Sequence, residues 1–188
     1  MDNSKKQRQK ESTRRRIIDA AFAVYSECGF TAATSEIAKE AGVAHGSIFM
    51  HFPTRGDLLM CLMEEFSDTL KAMLGDLPES GDTIEQLLGA HIDMLAEHER
   101  FYARSVMEMT LLPAEARAVF SEIQSALEPH FNDALARGIE SGDLKRLPPH
   151  ILLNMWLGLL HHYMQSGNPL KKYKKQLIFT YCELLRRQ

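Results

Sequence analysis

Cysteine is scarce in this 188-residue chain, and the three present are far apart: Cys28, Cys61 and Cys182. With no CxxC and no Cys–His cluster, the pattern argues against a metal site or a redox switch. The three are expected to be small core hydrophobes in a reducing cytoplasm. No apolar run approaches the ~18 residues that a membrane-spanning helix needs. The most apolar stretch, residues 152–160, is interrupted by Asn154 and Gly158 and runs into His161 and His162. The N-terminus is charged with nothing apolar behind it, so no secretory leader is expected. Glycine-rich phosphate loops, HExxH, GxSxG and internal repeats are all missing. Scattered His and Glu form no catalytic arrangement, and neither an enzyme nor a bound cofactor is expected. Nor is a metal: His161 and His162 are adjacent, and neighbours on a helix point about 100° apart.

What is present begins with charge. The chain has a net charge of −3, but residues 1–56 hold nine Lys or Arg against six Asp or Glu, a balance of +3 that leaves −6 for the remainder. Seven of the nine (Lys5, Lys6, Arg8, Lys10, Arg14, Arg15, Arg16) fall within the first 16 residues. A basic end on an acidic body suits a polyanion at one pole only.

Apolar periodicity near 3.6 marks helices throughout, and no segment alternates with a period of two. The first helix is placed at 11–28, with Ile17, Ile18, Ala21, Val24, Tyr25 and Cys28 on one face and Gly29 at its end. Two short helices follow within 34–52, then a long one from 55, whose stripe from Leu58 to Leu74 covers about five turns. A loop is read at 78–82, then a helix carrying Ile84, Leu87, Leu88, His91, Ile92 and Leu95 on its inner face, and another near 101–112. A further helix is placed at 114–141, where Pro129 predicts a kink or break. The last two are placed at 150–165 and 172–187. The expectation is an all-α protein of about nine helices, with a helix-turn-helix domain over 1–54 and a helical bundle over 55–188.

The most informative stretch is 34–55, TSEIAKEAGVAHGSIFMHFPTR. Ile37, Ala38 and Ala41 line one face of a short helix, with Thr34 as a candidate N-cap. Gly42 ends it where a left-handed residue is wanted. Val43, Ile48 and Phe52 give a second stripe, stopped by Pro53. That is the plan of a helix-turn-helix, whose second helix enters the DNA major groove. The segment resembles the DNA-binding signature of the tetracycline-repressor (TetR) family. Ile37-Ala38, Ala41-Gly42-Val43, Gly46, His51-Phe52 and Leu58-Leu59 match it in type and spacing, as do Ile17 to Ala21 and Gly29-Phe30-Thr31 upstream. Three positions depart from the pattern: Ala44 stands for the usual Ser or Thr cap, Phe49 for Tyr and Arg55 for Lys.

The resemblance implies a cytoplasmic, dimeric regulator, a repressor that binds a palindromic double-stranded DNA operator and is released by a small apolar or amphipathic effector. His45 is the first choice for base contact. Gly46 would let the helix press on the groove, and Ser47 and Met50 share its outer face. Thr34 and Ser35, at the N-terminus of the preceding helix, with His51, Arg55 and the basic leader, would hold phosphates. The family binds effectors among its fourth to eighth helices, a region rich here in methionine. Met63, His91, Tyr102, Met107 and Trp156 are the pocket expected, with His98, Arg104, Glu108, His161 and Tyr163 as further polar groups. His91 is equally read as a satisfied core histidine. The last two helices resemble the family's dimerisation surface, placing Met155, Leu159, His162, Tyr181 and Leu184 against a second copy. An alternative of the same fold recruits a protein partner through its C-terminal domain and senses no small molecule.

Overall fold

The computed structural model describes residues 2–75 and 83–187. They form ten α-helices: α1 (Asp2–Cys28), α2 (Thr34–Ala41), α3 (His45–His51), α4 (Arg55–Gly75), α5 (Ile84–Glu97), α6 (Glu99–Met107), α7 (Ala114–Ser125), α8 (Glu128–Glu140), α9 (Pro149–Gln165) and α10 (Leu170–Leu185). A single 3-10 turn, Met109–Leu111, separates α6 from α7, and the described residues include no strand. The loop expected at 78–82 lies outside them. No described helix is long and apolar enough to cross a membrane.

Three boundaries differ most from expectation. The helix read at 101–112 runs from Glu99 and ends at Met107, where the 3-10 turn takes over. The basic leader is helical from Asp2 rather than from residue 11. Lys, Arg and Gln are good helix formers, the leader has no Gly or Pro, and Gln7 Nε2 donates to Glu11 Oε1 at 2.9 Å one turn on. At the other end, the helix read at 114–141 is broken into α7 and α8 around Ala126 and Leu127. Pro129 causes the break, because its ring clashes with the carbonyl four residues back and it lacks an N–H.

The chain forms two compact units, residues 1–66 with 104–119, and 67–103 with 120–188. In the first, Ile17, Ile18, Ala21 and Tyr25 of α1 are buried together with Ile37, Ala38 and Ala41 of α2, Ile48 of α3 and Leu58 and Leu62 of α4. Each of these Ile and Leu side chains contributes about 1.5–3 kcal/mol on burial. Cys28 is an exception to the expected apolar face of α1, since it is exposed at the helix end, whereas Cys61 and Cys182 are buried.

In the second unit α5 opens with a full capping box. The Gln86 N–H donates to Thr83 Oγ1 at 3.3 Å and the Thr83 N–H to Gln86 Oε1 at 2.8 Å. Helix α10 packs on α5, with Lys174 paired to Asp93 at 2.5 Å. Its Tyr181 hydroxyl donates to the Leu152 carbonyl of α9 at 2.5 Å, and its ring meets Trp156 edge-on at 5.1 Å.

Candidate functional site

The turn between α2 and α3 is set by Gly42, at φ 62° and ψ 42°. Its N–H reaches the carbonyls of Ala38 and Lys39, and the Val43 N–H bonds Ala38 O at 2.9 Å, closing the end of α2. Arg16 of α1 completes that end, with Nη2 donating to the carbonyls of Ala41 at 2.5 Å and Gly42 at 2.9 Å. A cation on the last carbonyls also suits the negative pole of the helix.

The N-cap of α2 is Ala33, not Thr34, and it offers no side-chain acceptor. The Ala33 N–H instead donates to Glu36 Oε2 at 3.1 Å. Thr34 is the first helical residue, and its hydroxyl shares a 2.8 Å hydrogen bond with His45 Nε2. Ala44, at the N-cap of α3, likewise supplies no side-chain cap. Helix α3 buries Ile48 and turns His45, Gly46, Phe49 and Met50 outward, with Ser47 half-buried; Ser35 of α2 is also exposed. The Phe49 ring stands edge-on to His45 at 5.3 Å.

The basic flank is more structural than its sequence suggests. Arg14 lies over the Phe52 ring at 5.1 Å and reaches Cys61 Sγ at 3.0 Å. Arg15 bonds Asp19 at 2.5 Å and Glu65 at 2.7 Å, and Arg16 caps α2. Arg55, expected on phosphate, stays exposed while its Nε lies 3.4 Å from the Tyr25 hydroxyl and its guanidinium 5.8 Å from that ring. His51 is held below the usual histidine pKa by burial and then by the Lys10 and Arg14 charges, so the imidazole is neutral at pH 7. Its Nδ1 is buried with no hydrogen-bond partner among the described residues.

The first unit also contains a tie that sequence reasoning missed. Arg104 and Glu108, read as effector-pocket groups, instead clamp the end of α1. Arg104 Nη2 donates to the Glu27 carbonyl at 2.9 Å, Glu108 Oε2 accepts the Phe30 N–H at 2.5 Å, and the pair bond each other at 3.1 Å. No local pattern signals this, because the partners are nearly 80 residues apart.

Of the expected pocket residues, His91, Tyr102 and Trp156 fall in the second unit, buried, while Met63 and Met107 belong to the first. Met107 is exposed, so it does not face an interior. Trp156 Nε1 donates to His91 Nδ1 at 3.0 Å, and Tyr102 Oη shares a 3.1 Å hydrogen bond with His161 Nε2, which also lies 3.5 Å from Gln124 Nε2. Burial pushes the Tyr102 phenol up to about 12 and lowers His161, while burial and then His161 push His91 down to about 3. All these groups are therefore uncharged at neutral pH.

The His91 shift has a measurable consequence. Below about pH 6.5 the unfolded chain takes up a proton that folded His91 refuses, so stability falls with pH by up to about 1.4 kcal/mol per unit until about pH 3. His91→Gln removes that contribution. Between pH 7 and pH 5, urea unfolding should show wild type losing about 1–2 kcal/mol more than the variant; a pH-independent difference would refute the assignment.

On the expected dimer surface, Met155, His162 and Leu184 are exposed and Leu159 is partly so. Tyr181 is not part of it: the ring is buried and its hydroxyl held by Leu152, a core role. The exposed face includes two residues not foreseen, Ile151 and Phe179.

Two short helices around a left-handed glycine, with a groove-sized outer face on a basic flank, define a helix-turn-helix DNA-binding protein. Comparison with known proteins agrees. Residues 17–60 match the model of bacterial regulatory proteins of the tetR family, and residues 78–165 match a tetracyclin repressor-like C-terminal domain. The fatty acid metabolism regulator protein of Bacillus subtilis (strain 168) is 31% identical over 143 residues, covering 73% of this chain and 74% of that one. The transcriptional repressor KstR2 of Mycobacterium tuberculosis is 29% identical over 140 residues, 71% of this chain and 70% of that one. The crystal structure of FadR from Bacillus subtilis in complex with stearoyl-CoA superposes with a TM-score of 0.68 at 25% identity, over 89% of this chain and 97% of that one. The chain belongs to the TetR family of transcriptional regulators. It is a regulator rather than an enzyme, as its relatives are.

Proposed function

We propose that this chain is a cytoplasmic, homodimeric repressor of a palindromic operator, released by a long-chain acyl thioester. Residues 1–54 bind DNA, and 55–188 carry effector binding and dimerisation. Thr34, Ser35, His51 and Arg55 position the head on phosphates, while the outer face of α3 reads bases.

One observation carries the effector half. The interior of the second unit holds neutral hydrogen-bonding groups, His91–Trp156 and Tyr102–His161, among Leu, Ile and Phe side chains. Such groups suit a carbonyl on an apolar chain. A free carboxylate would call for a cation, and neither histidine carries charge at pH 7. The stearoyl-CoA bound by the FadR relative has that chemistry.

Selection from a random duplex pool should return an inverted repeat. Stearoyl-CoA should then raise stability by ~2.7 kcal/mol at a hundredfold excess over its dissociation constant, change Trp156 fluorescence, and weaken operator binding. Operator must weaken stearoyl-CoA binding by the same factor. Stearate should do neither at equal concentration. Release by stearate and not by stearoyl-CoA would reject the thioester; release by neither would reject acyl effectors.

A further inference from the structure

The recognition helix lacks the side chains that read purines. His45-Gly46-Ser47-Ile48-Phe49-Met50-His51 contains no Arg, Lys, Asn or Gln, the residues that make bidentate hydrogen bonds to guanine or adenine edges. Its most basic-looking reader, His45, already has Nε2 engaged by Thr34 at 2.8 Å.

What the outer face offers instead is apolar. Met50 is 81% exposed and Phe49 43%. Neither is there for the fold, since Ile48 alone is the helix's buried residue. The Phe49 ring is braced edge-on against His45 at 5.3 Å, which in turn is tied to the start of α2. Large apolar groups held out to solvent on a seven-residue helix need an apolar counterpart. The surroundings say which, because residues 1–56 carry a balance of +3 and so favour a polyanion. In the DNA major groove the one apolar group on a base edge is the 5-methyl of thymine. Methionine, unbranched and polarisable, adapts to such a contact.

We propose that Phe49 and Met50 read thymine 5-methyl groups, so that methyls rather than purine hydrogen-bonding edges fix the sequence of each operator half-site. This rests on the reading that α3 enters the major groove, and it adds the chemical group recognised there. Phe49 stands where the family pattern has a tyrosine, and without that hydroxyl the exposed ring is wholly apolar.

Replacing thymine by deoxyuridine removes the methyl and nothing else, so it supplies the test. With the full chain and a duplex selected from a random pool, each thymine of a half-site is replaced in turn. Affinity is compared with that for a random duplex of equal uracil content. At one or two positions per half-site, the wild-type chain should lose about fourfold per methyl removed. The doubly substituted Phe49→Ala/Met50→Ala chain should bind thymine and uracil duplexes equally while melting as wild type does, both residues being exposed. Sequence-selective binding by wild type that ignores every thymine-to-uracil change overturns the proposal and leaves the groove-reading role of α3 intact. Discrimination that survives in the double variant does the same. A wild-type chain with no sequence preference in any pool overturns both.

Discussion

Replacing Met155 and Phe179 together by glutamate is expected to give a folded monomer that has lost at least a hundredfold in operator affinity. Ile151, Met155, Leu159 and His162 repeat at helical spacing along one face of α9, and Phe179 and Leu184 lie outward on α10. Met155 is 50% exposed and Phe179 61%, more apolar surface than helices of a solitary chain commonly leave in water. A Cβ built on Gly158 would meet nothing within 4 Å. Its smallness therefore serves no packing inside this chain and leaves room for a helix from outside. In a two-fold interface each introduced carboxylate meets its own copy in a desolvated setting, so the charge cannot be paired. Operator affinity falls because two linked heads bind far more tightly than one, by 10²–10⁴. Sedimentation and operator titration, with helix content checked by circular dichroism, decide the matter. A wild-type chain that is monomeric at micromolar concentration, or a double variant that still dimerises, would discard the interface.

The second large effect is expected at Gly29. It ends α1 at φ 80°, a conformation that costs a residue with a side chain about 1–2 kcal/mol. A Cβ there would fall on the carboxylate of Glu108, the group that takes the Phe30 N–H. Displacing that carboxylate leaves a part-buried donor without its partner, a further ~1–3 kcal/mol. Gly29→Ala should therefore destabilise by about 2–4 kcal/mol in urea unfolding and weaken DNA binding, because the loop it distorts leads directly into α2. Glu108→Gln retains an acceptor for Phe30 and should cost less than half as much. A Gly29→Ala chain within 0.5 kcal/mol of wild type, below the strain alone, would show that the clamp carries little.

How much of this was readable beforehand follows from the range of each interaction. The α2–α3 unit was legible because its determinants are local: Ile37, Ala38 and Ala41 on one side, Gly42 in the turn, Ile48 and Phe52 on the other. The α7–α8 break was legible for the same reason, since a proline acts within one turn. The N-cap was misplaced by one residue because Thr34 is a good cap by type, while the backbone bends at Ala33, which is a poor one. The fates of Arg14, Arg15 and Arg16 were hidden. A run of arginines reads as a phosphate arm, but each finds a partner in the fold, on Phe52, on Asp19 and Glu65, or on the end of α2. The clamp by Arg104 and Glu108 was equally hidden, its partners lying on the far side of α2 to α5 in sequence. On α10, periodicity placed Tyr181 and Leu184 together in an interface and did not foresee Phe179. An apolar stripe does not distinguish a residue covered by its own chain from one left for another copy.

The helical leader changes what its charges can do. In a flexible arm Lys5, Lys6, Arg8 and Lys10 would all swing onto one strand of phosphates. Wound into α1 they divide, Lys6 with Lys10 four residues apart on one side and Lys5 with Arg8 three apart on another. A duplex lying along one side therefore meets about two of the four, and displaces roughly two counterions through them instead of four. In exchange, the ordering that such an arm would undergo on contact has already taken place during folding, and the charges arrive at fixed spacing.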